Sequence, residues 1–122
     1  MDMEGRKRLF QLAEFLETVD EDRFDMQCWA SSDTLNDPKW SSSACALGWA
    51  TMLFPQDLQL VKDIDRDIWT VRHIPSGKVE FRAATEFFSI PFEVADELFG
   101  DDGNGQHDPQ EKAAQIRVFI GD

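Results

Sequence analysis

The stretch over residues 42–55 constrains the fold of this chain more than any other part of the sequence. After its two serines it carries no charged residue before Asp57, although 30% of the residues of the chain are charged. The run is too long for a typical strand and shorter than the roughly 20 apolar residues that span a bilayer. The serines are N-cap candidates, and Pro55 ends a helix because proline lacks an N–H and clashes with the preceding turn. A helix that is apolar on nearly every side belongs inside a domain, so the sequence predicts a central helix over residues 43–54.

The size of the chain is that of one domain, predicted to span residues 1–122, and its ten Phe and four Trp are sufficient for a single core. The N-terminus lacks the apolar region of a signal peptide and no stretch reaches transmembrane length. We therefore expect a cytoplasmic protein that does not enter a membrane. Cys28 and Cys45 are expected to be thiols in that compartment, although their spacing is compatible with a bridge.

The formal charge of −12 is distributed unevenly along the sequence. Residues 86–122 contain nine acids and two cations, which gives this third of the chain a net charge of −7. Such a field repels phosphate backbones and anionic membranes, and it favours either solubility or a partner with a basic surface. A solubilising acidic surface is the commoner meaning of such a charge run.

Helical periodicity predicts four further helices. Residues 4–19 form an amphipathic helix, in which the basic triplet at residues 6–8 opposes the helix dipole. That triplet is either a small contact patch or, more commonly, a solvated face. Residues 83–99 form two short helices with a break at residues 89–91, and Gly100 closes the second one. Asp108 is predicted to cap a final helix that begins with Pro109.

The remaining apolar segments predict a small sheet. Residues 58–61, 68–74 and 78–81 are rich in β-branched and aromatic residues, and residues 75–77 (Pro-Ser-Gly) are typical of a turn. They predict an antiparallel meander of two or three strands. The expected fold is thus an α+β, helix-dominated single domain with a central apolar helix and a small antiparallel β-meander.

Three segments of the sequence form a recognisable set of packing motifs: residues 44–50 (Ala-Cys-Ala-Leu-Gly-Trp-Ala), residues 83–90 (Ala-Ala-Thr-Glu-Phe-Phe-Ser-Ile) and residues 95–99 (Ala-Asp-Glu-Leu-Phe). They match a Cys-Ala-x-Gly-Trp-Ala helix and an Ala-Ala-x-x-Phe…Ala-x-x-Leu-Phe helix pair. In these motifs the chain resembles small uncharacterised proteins of bacteriophages and prophage-bearing bacteria. Since these are packing motifs, the resemblance implies a shared fold and carries over no catalytic residue.

The helix pair at residues 83–99 also has the spacing of a helix-turn-helix motif. Its second helix, however, would expose Glu93, Asp96 and Glu97, and no Lys or Arg lies between Arg82 and Lys112. A helix that reads the major groove needs cations for phosphates and donors for base edges. The sequence therefore predicts no direct contact with nucleic acid.

Other binding and catalytic patterns are incomplete. The acidic runs that begin at Asp63 and Asp102 resemble calcium loops, but both lack the Gly at position six and the Glu at position twelve. The Cys and His residues lack the paired spacing of a zinc site. No nucleophile, phosphate-loop or dinucleotide motif is present. We accordingly predict no metal, no cofactor and no catalytic residue.

The function expected from these features is non-enzymatic protein–protein interaction. An acidic phage-type accessory protein would offer its anionic surface to a basic host protein, including a nucleic-acid-binding defence protein. The predicted partner-binding residues are Glu93, Asp96, Glu97, Asp101, Asp102, Trp29 and Trp40.

Two functional alternatives stay open: a small-ligand binder or enzyme, and a structural oligomer of unknown role. In the first, Trp29 and Trp40 of the 27–41 loop would form the site together with His73. A separate and commoner interpretation of the two tryptophans is that they fold back to cover the central helix.

Overall fold

The computed structural model describes residues 2–20, 23–24, 45–100 and 108–121. These residues form five helices and one two-stranded antiparallel sheet, which confirms the predicted α+β, helix-dominated fold. The helices are α1 (Met3–Leu16), α2 (Ala46–Leu53), α3 (Phe81–Phe88), α4 (Phe92–Phe99) and α5 (Pro109–Ile120), and the strands are β1 (Leu58–Asp63) and β2 (Ile68–His73).

Helix α2 lies in the core, as its apolar sequence predicts. Residues 46–51 are all buried, Leu47 is fully buried, and only 4% of Trp49 is exposed. The indole N–H of Trp49 donates to the carbonyl oxygen of Arg23 at 2.9 Å, so the ring is buried without an unpaired donor. The predicted central helix is confirmed for its described residues.

The start of α2 differs from the prediction of a serine cap. Its N-cap residue is Cys45, which has an extended backbone (φ −75°, ψ 178°) and makes no side-chain capping bond. Because Cys45 occupies the N-cap position, the prediction of a serine there is wrong. The predicted serines themselves lie outside the described residues. The end of the helix agrees with the sequence, because Phe54 leaves the helical conformation directly before Pro55.

Helices α1 and α5 pack against each other and run in opposite directions. Arg6 Nε donates to the carbonyl oxygen of Ile120 at 3.0 Å, and at the other end Gln110 Nε2 donates to that of Glu17 at 3.2 Å. The predicted cap of α5 is confirmed, since the Asp108 carboxylate accepts from the backbone N–H groups of the two residues after Pro109. The buried residues at this contact include Leu9, Leu12, Leu16, Ala113 and Ile116.

The sheet has two strands, within the predicted two or three. The chain also turns at the predicted residues 75–77, where Gly77 has a φ of 75° and its N–H donates to the carbonyl oxygen of His73 at 2.8 Å. Strands β1 and β2 pair from Leu58↔His73 to Asp63↔Ile68, and residues 64–67 connect them. The third strand predicted at residues 78–81 is reduced to a single bridge between Arg72 and Val79. The physical reason is the next residue: Glu80 has a φ of 58°, which turns the chain away from the sheet and into α3.

Helices α3 and α4 are separated at residues 89–91, as predicted. Ser89 ends α3 in the left-handed conformation, with a φ of 55°. Gly100 ends α4 as expected but has an extended backbone. A side chain at this position would collide with the carbonyl oxygen of Asp96, so glycine is needed here for space rather than for a positive φ.

Gly5 provides a test of how closely α1 approaches α3. A Cβ atom at this position would collide with the carbonyl oxygen of Phe88. A Gly-to-Ala change inside a helix normally stabilises it by about 1 kcal/mol.

At this position we expect the opposite: Gly5→Ala should lower the free energy of unfolding, measured in urea, by about 1–3 kcal/mol, because the added methyl group overpacks the contact. The control is Gln11→Ala at an exposed position of α1, which is expected to change the free energy of unfolding by no more than about 0.5 kcal/mol. Equal or greater stability of the Gly5 variant would contradict this packing.

Candidate functional site

One side of α4 carries three of the acids that the sequence predicts to bind a partner. Phe92, Glu93, Asp96 and Glu97 have the helical spacing that places side chains on neighbouring positions of one surface, and all four are exposed. We call these four residues the acidic face of α4. The opposite side of the helix, formed by Ala95, Leu98 and Phe99, is buried.

The acidic face has a fixed direction because α4 is anchored on two neighbouring helices. Phe99 stacks on Phe88 of α3, with ring centroids 5.5 Å apart and an interplanar angle of 18°. On the other side, Gln115 Nε2 of α5 lies 3.5 Å from the carbonyl oxygen of Glu97. These contacts hold the helix from its buried side, so its carboxylates point to solvent in a defined arrangement.

The carboxylates of the acidic face have no ion-pair partner among the residues that the structure describes. Acids elsewhere do have partners. Lys78 lies 2.6 Å from Glu86, and it holds the pKa of that carboxyl below its usual range. The acidic face of α4 therefore presents charges that no described side chain neutralises.

The acidic face also contains an exposed aromatic residue. Phe92 is 51% exposed, and its ring meets that of Phe81 edge to face, with centroids 5.8 Å apart. Large aromatic residues that stay partly in water are typical anchors of protein interfaces. Sequence reasoning overlooked Phe92, although a helical projection that starts at Pro91 places it four residues before Asp96 and thus on the acidic side.

Several predicted residues lie outside the described part of the chain. They are Trp29, Trp40, Asp101 and Asp102. Of the three residues in the alternative ligand site, the structure describes only His73. Its Nδ1 lies 2.8 Å from the hydroxyl oxygen of Ser76, and burial lowers the pKa of the imidazole below its usual value.

The calcium-like run that begins at Asp63 forms the turn between the two strands. The Asp63 carboxylate accepts hydrogen bonds from Arg66, both from its Nε at 2.6 Å and from its backbone N–H at 3.2 Å. Those bonds lower the pKa of Asp63. Among the described residues there is no group of three or more His, Cys, Asp or Glu side chains that is arranged to hold a metal ion. In the same ranges no helix is both long enough and apolar enough to cross a membrane.

Comparison with known proteins leaves the site to be interpreted from its own geometry. The chain matches no protein-family model, no curated protein and no solved structure.

Neutralising two residues of the acidic face tests whether they lack a stabilising role. Asp96 and Glu97 lie in the C-terminal half of α4, where the helix dipole disfavours negative charge. We expect the double variant Asp96→Asn/Glu97→Gln to leave the free energy of unfolding unchanged or to raise it by about 0.3–1 kcal/mol. Urea denaturation measures this change.

The control is an acid that has partners. The Glu80 carboxylate accepts hydrogen bonds from Arg66 and from the Thr70 hydroxyl, so Glu80→Gln is expected to destabilise the protein. A clear loss of stability in the α4 double variant would reveal a partner of these carboxylates and contradict the interpretation of the face.

Proposed function

We propose that this chain is a non-enzymatic, phage-type accessory protein that acts in the cytoplasm by binding a protein with a basic surface. In this proposal the acidic face of α4 is the contact surface. The observation that carries it is the combination of three exposed carboxylates that have no described counterion with the half-exposed ring of Phe92.

The charge of the whole chain supports this choice of partner. A net charge of −12 produces a long-range field that attracts cationic surfaces and accelerates encounter with them. At contact, Glu93, Asp96 and Glu97 are available to pair with Lys or Arg residues of the partner without first breaking an ion pair within the described chain. Burial of Phe92 adds an apolar anchor, which makes the contact specific rather than only electrostatic.

A basic surface of this kind occurs on proteins that bind nucleic acid. Carboxylates have the same sign of charge as phosphates, so an acidic helix face is able to occupy a surface that evolved for a phosphate backbone. The proposed partner class is therefore a basic, nucleic-acid-binding host protein, including a defence protein, that the chain antagonises by occupying its binding surface.

The test reverses the charges of the face and compares the result with a matched variant. We expect Glu93→Lys/Asp96→Lys/Glu97→Lys to abolish capture of basic proteins from a bacterial lysate. The control, Glu14→Lys/Asp20→Lys/Asp65→Lys, changes the net charge equally at three exposed positions away from α4 and is expected to retain the same bound proteins. Mass spectrometry of the captured proteins measures the difference.

Salt dependence provides the second readout of the same experiment. Capture by the unmodified chain is expected to weaken steeply as the salt concentration rises, since screening shortens the range of the field. Capture of basic proteins that does not depend on the salt concentration would contradict the proposal. Equal loss of binding in the α4 variant and in the matched control would show that net charge acts without a defined surface.

A further inference from the structure

A surface of the opposite character lies along the exposed side of α1. The described residues that line an open groove of about 500 Å³ on this side are Met3, Glu4, Arg6, Lys7 and Phe10. We call these five residues the basic groove of α1. The volume is within the range of sites that hold a small ligand, and it is sufficient for an aromatic side chain. The side chains of Met3 and Phe10 provide apolar walls, and 89% of Met3 is exposed.

The cations of the groove are only partly explained by the fold. Arg8 is used inside the molecule: it donates to the carbonyl oxygen of Phe87 at 2.7 Å, and Glu4 lies 3.6 Å from it. Arg6 Nε donates to a backbone carbonyl oxygen at the end of α5, and no ion pair of Arg6 or Lys7 is present among the described residues. Cations in the first turns of a helix oppose its dipole, so helix stability does not account for their position.

The basic groove and the acidic face of α4 are complementary in charge, and each contains exposed apolar surface. Among its described residues, the groove has two cations and the carboxylate of Glu4, which lies 3.6 Å from Arg8 Nε. The face has three carboxylates beside a half-exposed aromatic ring. Seating Phe92 between Met3 and Phe10 would remove apolar surface from water on both sides. It would also bring Glu93, Asp96 and Glu97 towards the cations of the groove, where short-range pairing is favourable.

We propose that the basic groove of α1 binds the acidic face of α4 of a second copy of this chain. Self-association then occupies the surface that a basic partner needs, and this regulatory consequence rests on the proposed function. The contact joins two different surfaces, so it links copies head to tail unless the geometry closes them into a ring or a symmetric pair.

Long-range charge makes this contact weak and therefore reversible. Two copies that each carry a charge of −12 repel one another, and salt of about 0.15 M limits that repulsion to roughly 8 Å. Only the local pairing and the burial of Phe92 favour association. A basic partner is attracted by the entire field, so it displaces the second copy from the acidic face.

Two complementary variants test the contact with the purified chain alone. The groove variant is Arg6→Glu/Lys7→Glu, and the face variant is the triple Lys substitution at Glu93, Asp96 and Glu97. Sedimentation velocity over a dilution series, in about 0.15 M salt, measures association. We expect the unmodified chain to self-associate reversibly, and each variant alone to weaken this by about tenfold or more, because like charges then oppose each other at the contact.

An equimolar mixture of the two variants is expected to associate again, because the groove of the face variant and the acidic face of the groove variant are both intact. Restoration of association also excludes misfolding as the cause of the loss in either variant.

The triple Lys substitution at Glu14, Asp20 and Asp65 is the matched control and should self-associate at least as well as the unmodified chain. A monomeric unmodified chain, a variant that associates as the unmodified chain does, or a mixture that stays monomeric would overturn the proposal. Any of these results leaves the binding of a basic partner by α4 to be decided by its own capture experiment.

Discussion

Burial of the apolar helix α2 is the constraint on which the rest of the structure depends. Its residues 46–51 offer almost no polar group to solvent, so this helix is stable only when other elements surround it. It contacts α1 and both strands. The small side chains of Ala46 and Ala50 let these elements approach closely, while Trp49 fills the remaining space and satisfies its single donor on a backbone carbonyl oxygen.

The charges of the molecule follow from that arrangement. Once the apolar sides of α3 and α4 are used for the core, the acids of α4 have to face water. Two cations of the hairpin are already paired, since Lys62 contacts Asp67 and Arg66 contacts Asp63. The described surface thus contains a region of paired charges, an acidic face on α4 that no described side chain neutralises, and a basic groove on α1. Both proposals about binding arise from this division.

The sequence predicts the helices well because their signals are local. An apolar run without charges identifies α2, Asp108 and Pro109 identify the start of α5, and residues 89–91 separate α3 from α4. The end of the third segment at Val79 could not be predicted. Glu80 adopts a positive φ there, and its carboxylate accepts hydrogen bonds from Arg66 and Thr70, which are distant from it in the sequence. The acids of the site could be named from helical spacing. That no described side chain pairs with them, and that a groove lies on α1, depends on how separate elements pack.

Native-state hydrogen exchange of the backbone amides tests the central role of α2 most directly. If α2 is the element that the others enclose, the amides of residues 49–53 exchange only when the whole protein unfolds, with a free energy equal to that from urea denaturation. Exchange in α2 through a local opening of much lower free energy, while α1 and α5 remain protected, would contradict the account of the fold and of the surfaces built on it.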